Sequence, residues 1–185
     1  QKSGLGGGSM NAASILKYFI KENILNITKK KAEQLSYKVG SDVILGLERK
    51  NTILFKNGKI GRLKKKLNYH ILIAMPNFGC SSKKIYKKFN GFSKSLYFKT
   101  NKQLFKLRNL IKSKNDLENV VFKKYLKVKS LKDFLSNLPE VLFVRMTGSG
   151  SAIVAYFRTK NSAEKAVKIF KKKYRSYWCI SSKTI

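Results

Sequence analysis

The sequence has little of the residue types on which several functional classes depend. It contains two cysteines, Cys80 and Cys179, and one histidine, His70. Two distant cysteines cannot form a disulfide framework and lack metal-ligand spacing, so we expect reduced structural thiols. His70 lies in an apolar stretch without an acidic or cysteine neighbour, which indicates a structural role. Nothing here predicts a cysteine-bound metal or a serine or cysteine nucleophile.

Long apolar runs are also absent from the sequence. No run reaches the roughly 20 residues that span a bilayer, and the first residues lack the basic, apolar and small-residue order of a signal peptide. The 185 residues are 43% hydrophobic, enough for one domain or two small ones. We therefore expect a cytoplasmic protein with no membrane partner, a monomer or a homodimer.

Acidic residues are scarce, since 9 Asp and Glu face 41 Lys and Arg and leave a formal charge of +32. Such a charge favours a polyanion partner, so a basic nucleic-acid-binding module of ribosomal type stays an alternative. Against it, only six of the basic residues are Arg, the residue that nucleic-acid readers prefer. No nucleic-acid-binding motif is present. Scattered lysines with abundant Asn and Ile fit AT-rich coding better, and we do not expect nucleic acid as the partner.

A glycine-rich loop at the start of the chain is the main functional signal. It runs through Gly4, Leu5, Gly6, Gly7, Gly8, Ser9, Met10 and Asn11 and leads into an apolar helical stretch. Such a loop lets phosphate approach the backbone and the N–H groups that begin the helix, which Ser9 and Asn11 could cap. The residues after Gly8 do not match the P-loop, and the glycine spacing does not match the dinucleotide fingerprint. A flexible glycine linker is the alternative.

Three further segments follow in an order that carries a family resemblance. They are Val39–Val43, which contains Asp42; Met75–Tyr86, which contains Ser82; and Met146–Ala152, which contains Gly148, Ser149 and Gly150. With the glycine loop, they resemble the GHMP small-molecule kinases over nearly the whole chain. The triple glycine is most similar to the member of that family that phosphorylates a cytidyl-diphosphate sugar alcohol in isoprenoid biosynthesis. Homoserine and mevalonate kinases are the alternatives within the family.

The resemblance implies a role for each segment. Gly4 to Asn11 would bind ATP with Mg²⁺, Asp42 would be the catalytic base, and Gly148, Ser149 and Gly150 would close over the phosphates. Ser82 and Tyr86 would contact the cytidyl substrate. No protein side chain is assigned to the metal. Taken alone, Asp42 could cap a helix or pair with a lysine, the Gly148 loop could be an ordinary turn, and Tyr86 could be a core aromatic.

The pattern of elements predicts an α+β fold with an antiparallel sheet. Helices are expected at 11–22, 29–38, 82–90, 101–112, 115–126, 130–137 and 161–173, and strands at 52–55, 69–75, 141–146, 152–157 and 177–181. The resemblance implies two domains: residues 1–66 as the rest of an ATP-binding domain like ribosomal S5 domain 2, and 67–185 as a ferredoxin-like domain. Because the family places strands and a Lys-containing motif before the glycine loop, we expect a truncated, inactive fragment.

Overall fold

The computed structural model describes residues 3–55, 57–63, 66–93 and 101–184, with the backbone alone at 101 and 102. The chain divides into two compact units. The smaller comprises Gly6–Lys66, and the larger comprises Gln1–Leu5 together with Leu67–Ile185. The assignment of family domains to residues 1–66 and 67–185 stays a prediction.

The smaller unit consists of helices and one hairpin. Helix α1 spans Gly7–Lys21 and α2 spans Lys29–Val39; a short 3-10 helix at Val43–Gly46 precedes strands β1 (Asn51–Leu54) and β2 (Ile60–Leu63). The strands pair antiparallel from Asn51 opposite Leu63 to Leu54 opposite Ile60. Strand β2 was not predicted because a short Ile-Gly-Arg-Leu segment carries no clear period-2 pattern.

The larger unit is built on a four-stranded sheet. Its strands are β3 (His70–Met75), β4 (Val141–Met146), β5 (Ile153–Phe157) and β6 (Trp178–Lys183). They lie in the order β4-β5-β3-β6, and every neighbouring pair is antiparallel. The predicted antiparallel sheet is confirmed.

Helices connect these strands in two crossings. Between β3 and β4 run α3 (Ser82–Lys87), α4 (Asn101–Leu104), α5 (Leu107–Lys112), α6 (Leu117–Lys124) and α7 (Leu126–Ser136); between β5 and β6 runs α8 (Lys160–Lys173). The βαββαβ order with this strand arrangement is the ferredoxin-like topology. The prediction of an α+β fold with a ferredoxin-like C-terminal part is confirmed.

Several predicted helices differ from those observed: α1 begins at Gly7, four residues before the predicted start at 11, and α3 ends at Lys87, three residues before the predicted end at 90. The single helix predicted at 101–112 is broken, because Lys106 takes an extended conformation with φ −67° and ψ 137°. The Asn109 side-chain amide donates to the Gln103 carbonyl at the break, 2.6 Å away. The helix predicted at 130–137 begins four residues earlier, at Leu126. Local composition did not reveal the break at Lys106 or the start of α7 at Leu126, since a side-chain bond and packing against the sheet decide them.

The core of the larger unit lies between the sheet and helices α6, α7 and α8. Leu72 and Phe157 from the sheet, Leu131 from α7 and Phe170 from α8 are completely buried there. Strand β6 is mostly exposed along its length. In the described part of the chain, no helix is both long and apolar enough to cross a membrane.

Candidate active site

The N-terminus of helix α1 is formed by the glycine run. Gly6 precedes the helix with φ 69°, in the left-handed region that favours glycine, and its carbonyl accepts the Met10 N–H at 2.9 Å. No side chain caps the helix, so the proposed capping by Ser9 and Asn11 is wrong: both residues lie inside α1. The N–H groups of Gly7, Gly8 and Ser9 therefore have no acceptor within the helix, an arrangement suited to binding an anion.

The glycines in this turn leave open space beside the backbone. A Cβ atom added to Gly6, Gly7 or Gly8 would meet no atom within 4 Å. Packing against other side chains therefore does not require glycine at these positions, and the space beside the backbone is open to a ligand. Met10, three residues into the helix, is 37% exposed.

Gly4, in contrast, is required by close packing within the larger unit. Its φ is +72°, and an added Cβ would lie 2.3 Å from the Thr147 carbonyl oxygen and 2.9 Å from the Gly150 nitrogen. The preceding Ser3 carbonyl accepts the Ala152 N–H at 3.0 Å. The start of the glycine loop thus lies directly against the Gly148 loop, although more than 140 residues separate them in sequence.

The Gly148 loop is a tight turn in which three backbone N–H groups, those of Gly148, Ser149 and Ser151, have no acceptor among the described residues. Thr147 donates its N–H to Ala152, and Gly150 donates its N–H to the Thr147 carbonyl at 2.9 Å. Gly148 and Gly150 have φ +45° and +77°. Among the described residues, no acceptor takes the N–H groups of Gly148 or Ser149. The Gly150 N–H is therefore used within the turn, whereas the N–H groups of Gly148, which is exposed, and Ser149, which is 5% exposed, are not.

Helix α3 contacts this loop through a pair of hydroxyls. Ser82, its first residue, lies 2.7 Å from Ser149, Oγ to Oγ. Ile85 anchors the helix in the core, whereas Tyr86 is 60% exposed. The interpretation of Tyr86 as a core aromatic is therefore wrong, and its ring is accessible. Ser82 and Tyr86 lie four residues apart, on one side of the helix.

Polar side chains that the sequence did not single out brace the same loop. Asn115 donates its Nδ2 to the carbonyls of Met146 and Gly148, each at 2.8 Å, and its Oδ1 accepts the Leu117 N–H at 3.1 Å. Glu118 accepts the Met146 N–H at 2.8 Å and pairs with Lys132. The available signal was an Asn just before a helix, which predicts a cap and does not reveal the distant carbonyls.

Asp42 lies on the surface of the smaller unit. It precedes the 3-10 helix, and its carboxylate accepts a long 3.4 Å bond from the Ser41 hydroxyl. Asp42 itself is exposed, whereas the next two residues, Val43 and Ile44, are buried. The side chain makes no capping bond, and no ion pair to it is found among the described residues. Neither structural alternative for this carboxylate is therefore observed.

The strongest electrostatic cluster of the smaller unit surrounds Glu48. Lys29 and Lys50 both lie 2.7 Å from its carboxylate, and Arg62 lies 2.6 Å away. The Lys29 bond first, and the Lys50 bond next, lower the pKa of Glu48 from 4.5 to about 2. Arg62 also donates to the Ile44 carbonyl at 3.3 Å, so the cluster fixes the segment that follows Asp42.

The cysteines are structural, as predicted. Both are free thiols. Burial raises the pKa of Cys80 to about 11 and also raises that of Cys179, which keeps both thiols protonated and unreactive. His70 pairs with Phe157 and Lys183 as an ordinary strand residue. The described residues contain no group of three or more His, Cys, Asp or Glu placed to hold a metal ion.

Comparison with known proteins gives one consistent set of similarities. The family described as "GHMP kinases C terminal" matches residues 99–176. The 4-diphosphocytidyl-2-C-methyl-D-erythritol kinase of Pelagibacter ubique is 49% identical over 185 residues, covering 100% of this chain and 66% of that protein. The kinase of the same name from Anaplasma phagocytophilum is 29% identical, covering 99% of this chain and 62% of its own length.

A solved structure gives the same indication for the fold. A crystal structure of 4-(cytidine 5'-diphospho)-2C-methyl-D-erythritol kinase superposes with a TM-score of 0.79 at 18% identity. The superposition covers 99% of this chain and 66% of that one. This chain thus spans about two thirds of the length of the relatives it matches.

Proposed function

The chain belongs to the GHMP kinase family, and from this we propose that the protein phosphorylates a hydroxyl of 4-diphosphocytidyl-2-C-methyl-D-erythritol with ATP. The observation that carries the proposal is the 49% identity to the Pelagibacter ubique kinase along the whole of this chain. The reaction would serve the non-mevalonate route to isoprenoid precursors. A cytoplasmic location is part of the same proposal.

The phosphates of ATP would be held by backbone N–H groups. Gly7, Gly8 and Ser9 offer theirs at the N-terminus of α1, where the helix dipole favours negative charge. In the larger unit, Gly148 and Ser149 would offer N–H groups that the turn leaves unused. Backbone donors of this kind stabilise the charge that spreads over the transferred phosphoryl group.

Asp42 would orient the attacking hydroxyl and accept its proton. An exposed carboxylate with only a weak bond to Ser41 is available to a substrate hydroxyl. Phosphoryl transfer depends mainly on positioning and charge stabilisation, and one carboxylate beside the nucleophile suffices for the proton. We assign no other described carboxylate to this role.

The cytidyl group would contact helix α3. Tyr86 presents an accessible ring on which a base can stack, and Ser82 presents a hydroxyl four residues earlier. Since Ser82 is bonded to Ser149, the substrate helix and the phosphate loop share a hydrogen bond. That bond gives the two predicted sites a fixed spacing within the larger unit.

Mg²⁺ would neutralise phosphate charge when it binds with ATP. The ion commonly takes one or two protein oxygens and completes its shell with phosphates and waters. The carboxylate of Asp42 and the hydroxyl of Ser9 are oxygen donors of the required type. They would supply protein oxygens to the ion, and phosphate and water oxygens would complete its shell.

The test joins this chain to the part of the Pelagibacter ubique relative that it does not match. ADP release is measured with ATP, Mg²⁺ and the cytidyl substrate, for the chimera and its Asp42→Asn variant. We expect turnover by the chimera and a loss of about 10² to 10⁴ in kcat for the variant, the range for a positioned general base. Asp133→Asn, a matched change on the exposed face of helix α7, is expected to keep the parent activity.

Other outcomes would contradict specific parts of the proposal. Turnover of homoserine or mevalonate in place of the cytidyl substrate would move the protein to another branch of the family. Equal activity of the chimera and its Asp42→Asn variant would remove the catalytic role of that residue. Absence of kinase activity together with steeply salt-dependent binding to nucleic acid would favour the basic-module alternative.

A further inference from the structure

The backbone of the Gly148 loop is shaped by a side chain from another element. Resting on the kinase function proposed above, we propose that Asn115 is a positioning residue that aims the Ser149 N–H at the transferred phosphate. Asn115 lies just before helix α6, more than 30 residues from the loop in sequence. The inference concerns Asn115 itself, to which the family resemblance assigned no role.

Both polar atoms of the Asn115 side chain form hydrogen bonds: the amide nitrogen donates to the Gly148 loop and the amide oxygen accepts from α6. Its Nδ2 donates one hydrogen to the Met146 carbonyl and the other to the Gly148 carbonyl, each at 2.8 Å. These two carbonyls flank Thr147 on either side. A side-chain amide has two N–H donors in one plane, so the pair of bonds fixes both carbonyl directions at once.

The direction of a carbonyl fixes the direction of the next N–H group. The Gly148 carbonyl and the Ser149 N–H belong to one planar trans peptide and therefore point in opposite directions. By drawing the Gly148 carbonyl toward itself, Asn115 turns the Ser149 N–H away from α6. That N–H is one of three in the loop, with those of Gly148 and Ser151, that have no acceptor among the described residues.

The hydrogen bonds within the turn do not fix the orientation of the peptide between Gly148 and Ser149, so the bond from Asn115 is needed to fix it. Gly148 has φ +45° with an exposed backbone, and the bond from Gly150 to Thr147 spans the peptide without restraining its rotation. A two-glycine turn has more conformational freedom than any other. Asn115 removes that freedom at the peptide whose N–H the proposed reaction uses.

Asn115 also supports the start of α6, and an experiment can separate this role from its role at the Gly148 loop. Its Oδ1 accepts the Leu117 N–H at 3.1 Å and so supports the start of α6. Asn115→Asp keeps an acceptor for that N–H, and Asp is as good as Asn at a helix start. The same change replaces both donors by oxygen and places it against two carbonyls. A loss seen in Asn115→Asp therefore reports the loop and not the helix.

The experiment measures the chimera described above, its Asn115→Asp variant and, as a matched control, Asn137→Asp. Asn137 also donates its Nδ2 to a backbone carbonyl, that of Asp133, on an exposed helix end. We expect Asn115→Asp to lower the melting temperature by only about 2–5 °C, because the two lost bonds lie in one surface loop while the cap of α6 is kept. Its kcat should fall about tenfold or more, because donors misplaced by a rotated peptide stabilise the transition state poorly. The KM for the cytidyl substrate should change less than kcat.

A pH profile adds a readout that a purely structural role would not move. Protonation of the carboxyl group that Asn115→Asp introduces restores one donor, so the activity of this variant relative to the parent should rise as the pH is lowered. The ratio for Asn137→Asp should stay flat. Hydrogen exchange at the Thr147 and Gly150 amides, which are bonded across the turn, should accelerate in Asn115→Asp alone.

The outcomes separate the two proposals. An inactive parent chimera would overturn the proposed kinase function, while unchanged exchange at Thr147 and Gly150 in Asn115→Asp would overturn the role of Asn115. With an active parent, an Asn115→Asp variant that keeps the parent kcat and a flat pH ratio would also overturn it. A variant that loses stability as much as activity would show that Asn115 supports only the fold.

Discussion

The two units of the chain are stabilised in different ways. In the larger unit, eighteen buried residues form one continuous cluster between the sheet and its helices. In the smaller unit, the buried apolar side chains among the described residues are Ala13, Ala32, Val43 and Ile44. Several large apolar side chains of that unit are instead exposed: Ile15, Tyr18, Ile24 and Val39.

This difference bears on where the proposed chemistry lies. The Gly148 loop is carried by strands whose inner faces are buried and is braced by Asn115 and Glu118. Asp42 and the start of α1 lie on the unit with the smaller core, where the Glu48 ion cluster and the cap of α2 by Thr28 supply fixed contacts. Regions with few buried contacts open at lower free-energy cost. The smaller unit should therefore be the more easily perturbed by solvent conditions.

The largest change in the free energy of unfolding is expected from a substitution in the core of the larger unit. Leu131 on α7 is fully buried in the cluster. Leu131→Ala removes buried methyl groups and leaves a cavity, so we expect a loss of about 2–5 kcal/mol in the free energy of unfolding. Urea denaturation followed by circular dichroism measures it.

The contrasting variant is Ile15→Ala on helix α1, where the side chain is 55% exposed. Since most of that side chain is already in water, the change should stay within about 0.5 kcal/mol. Equal losses for Leu131→Ala and Ile15→Ala would remove the distinction between the two units.

Several strands and helices of the larger unit could be predicted from the sequence because the signals that define them are local. Strands β4 and β5 and helix α8 were predicted to within one residue, since apolar runs and clear turns bound them. The break at Lys106 and the early start of α7 at Leu126 were missed, because a bond from Asn109 and packing against the sheet set those boundaries. Tertiary contacts of this kind override local propensity.

The residues of the candidate site likewise divide into those that have a local sequence signal and those that are defined by distant contacts. The motif residues could be identified from their letters, whereas Asn115 and the Glu48 cluster could not. The partners that define them lie as far as 33 residues from Asn115 and 19 residues from Glu48. Ser9 and Asn11 were misassigned as caps because helix α1 begins at Gly7, inside the glycine run. Glycine is a poor helix former, so no propensity argument places a helix start there.

A smaller effect is expected from the ion cluster of the smaller unit. The folded-state pKa of Glu48, about 2, lies below its ordinary 4.5, so its carboxylate stabilises the fold above about pH 4.5 and loses this contribution as the pH falls toward 2. Glu48→Gln should cost about 0.2–1 kcal/mol at pH 7, the range for ion pairs that water screens. The gap in melting temperature between parent and variant should close between pH 4.5 and 2.

Glu22→Gln is the matched control for this measurement. Glu22 pairs with Lys21 at 3.5 Å on an exposed helix end, and Lys21 is 83% exposed. Its removal should change the melting temperature little at any pH in this range. A gap for Glu48→Gln that stays constant down to pH 2, or that disappears at pH 7, would show that the cluster does not stabilise the smaller unit.

The smallest expected change in stability has the opposite sign and separates stability from function. Gly8 lies in the first turn of α1, its φ is not in the left-handed region, and an added Cβ would meet no atom within 4 Å. Gly8→Ala should therefore raise the free energy of unfolding by about 0.4–1 kcal/mol, because alanine loses less backbone entropy on folding. In the proposed kinase, the same methyl group would occupy space beside the N–H groups that hold phosphate, so the KM for ATP should rise.

Ser14→Ala provides the comparison, since it also favours helix α1 but lies beyond the predicted ATP loop. The Ser14 hydroxyl donates to the Met10 carbonyl four residues earlier, a bond that slightly weakens helices. Both variants should therefore melt at or slightly above the parent temperature, measured by circular dichroism. The chimera with Gly8→Ala should bind ATP more weakly, while the chimera with Ser14→Ala should bind it as the parent does. An unchanged KM for ATP in both would mean that the space beside Gly8 is not where phosphate lies, and the glycine run would then be explained by backbone freedom at the start of α1 alone.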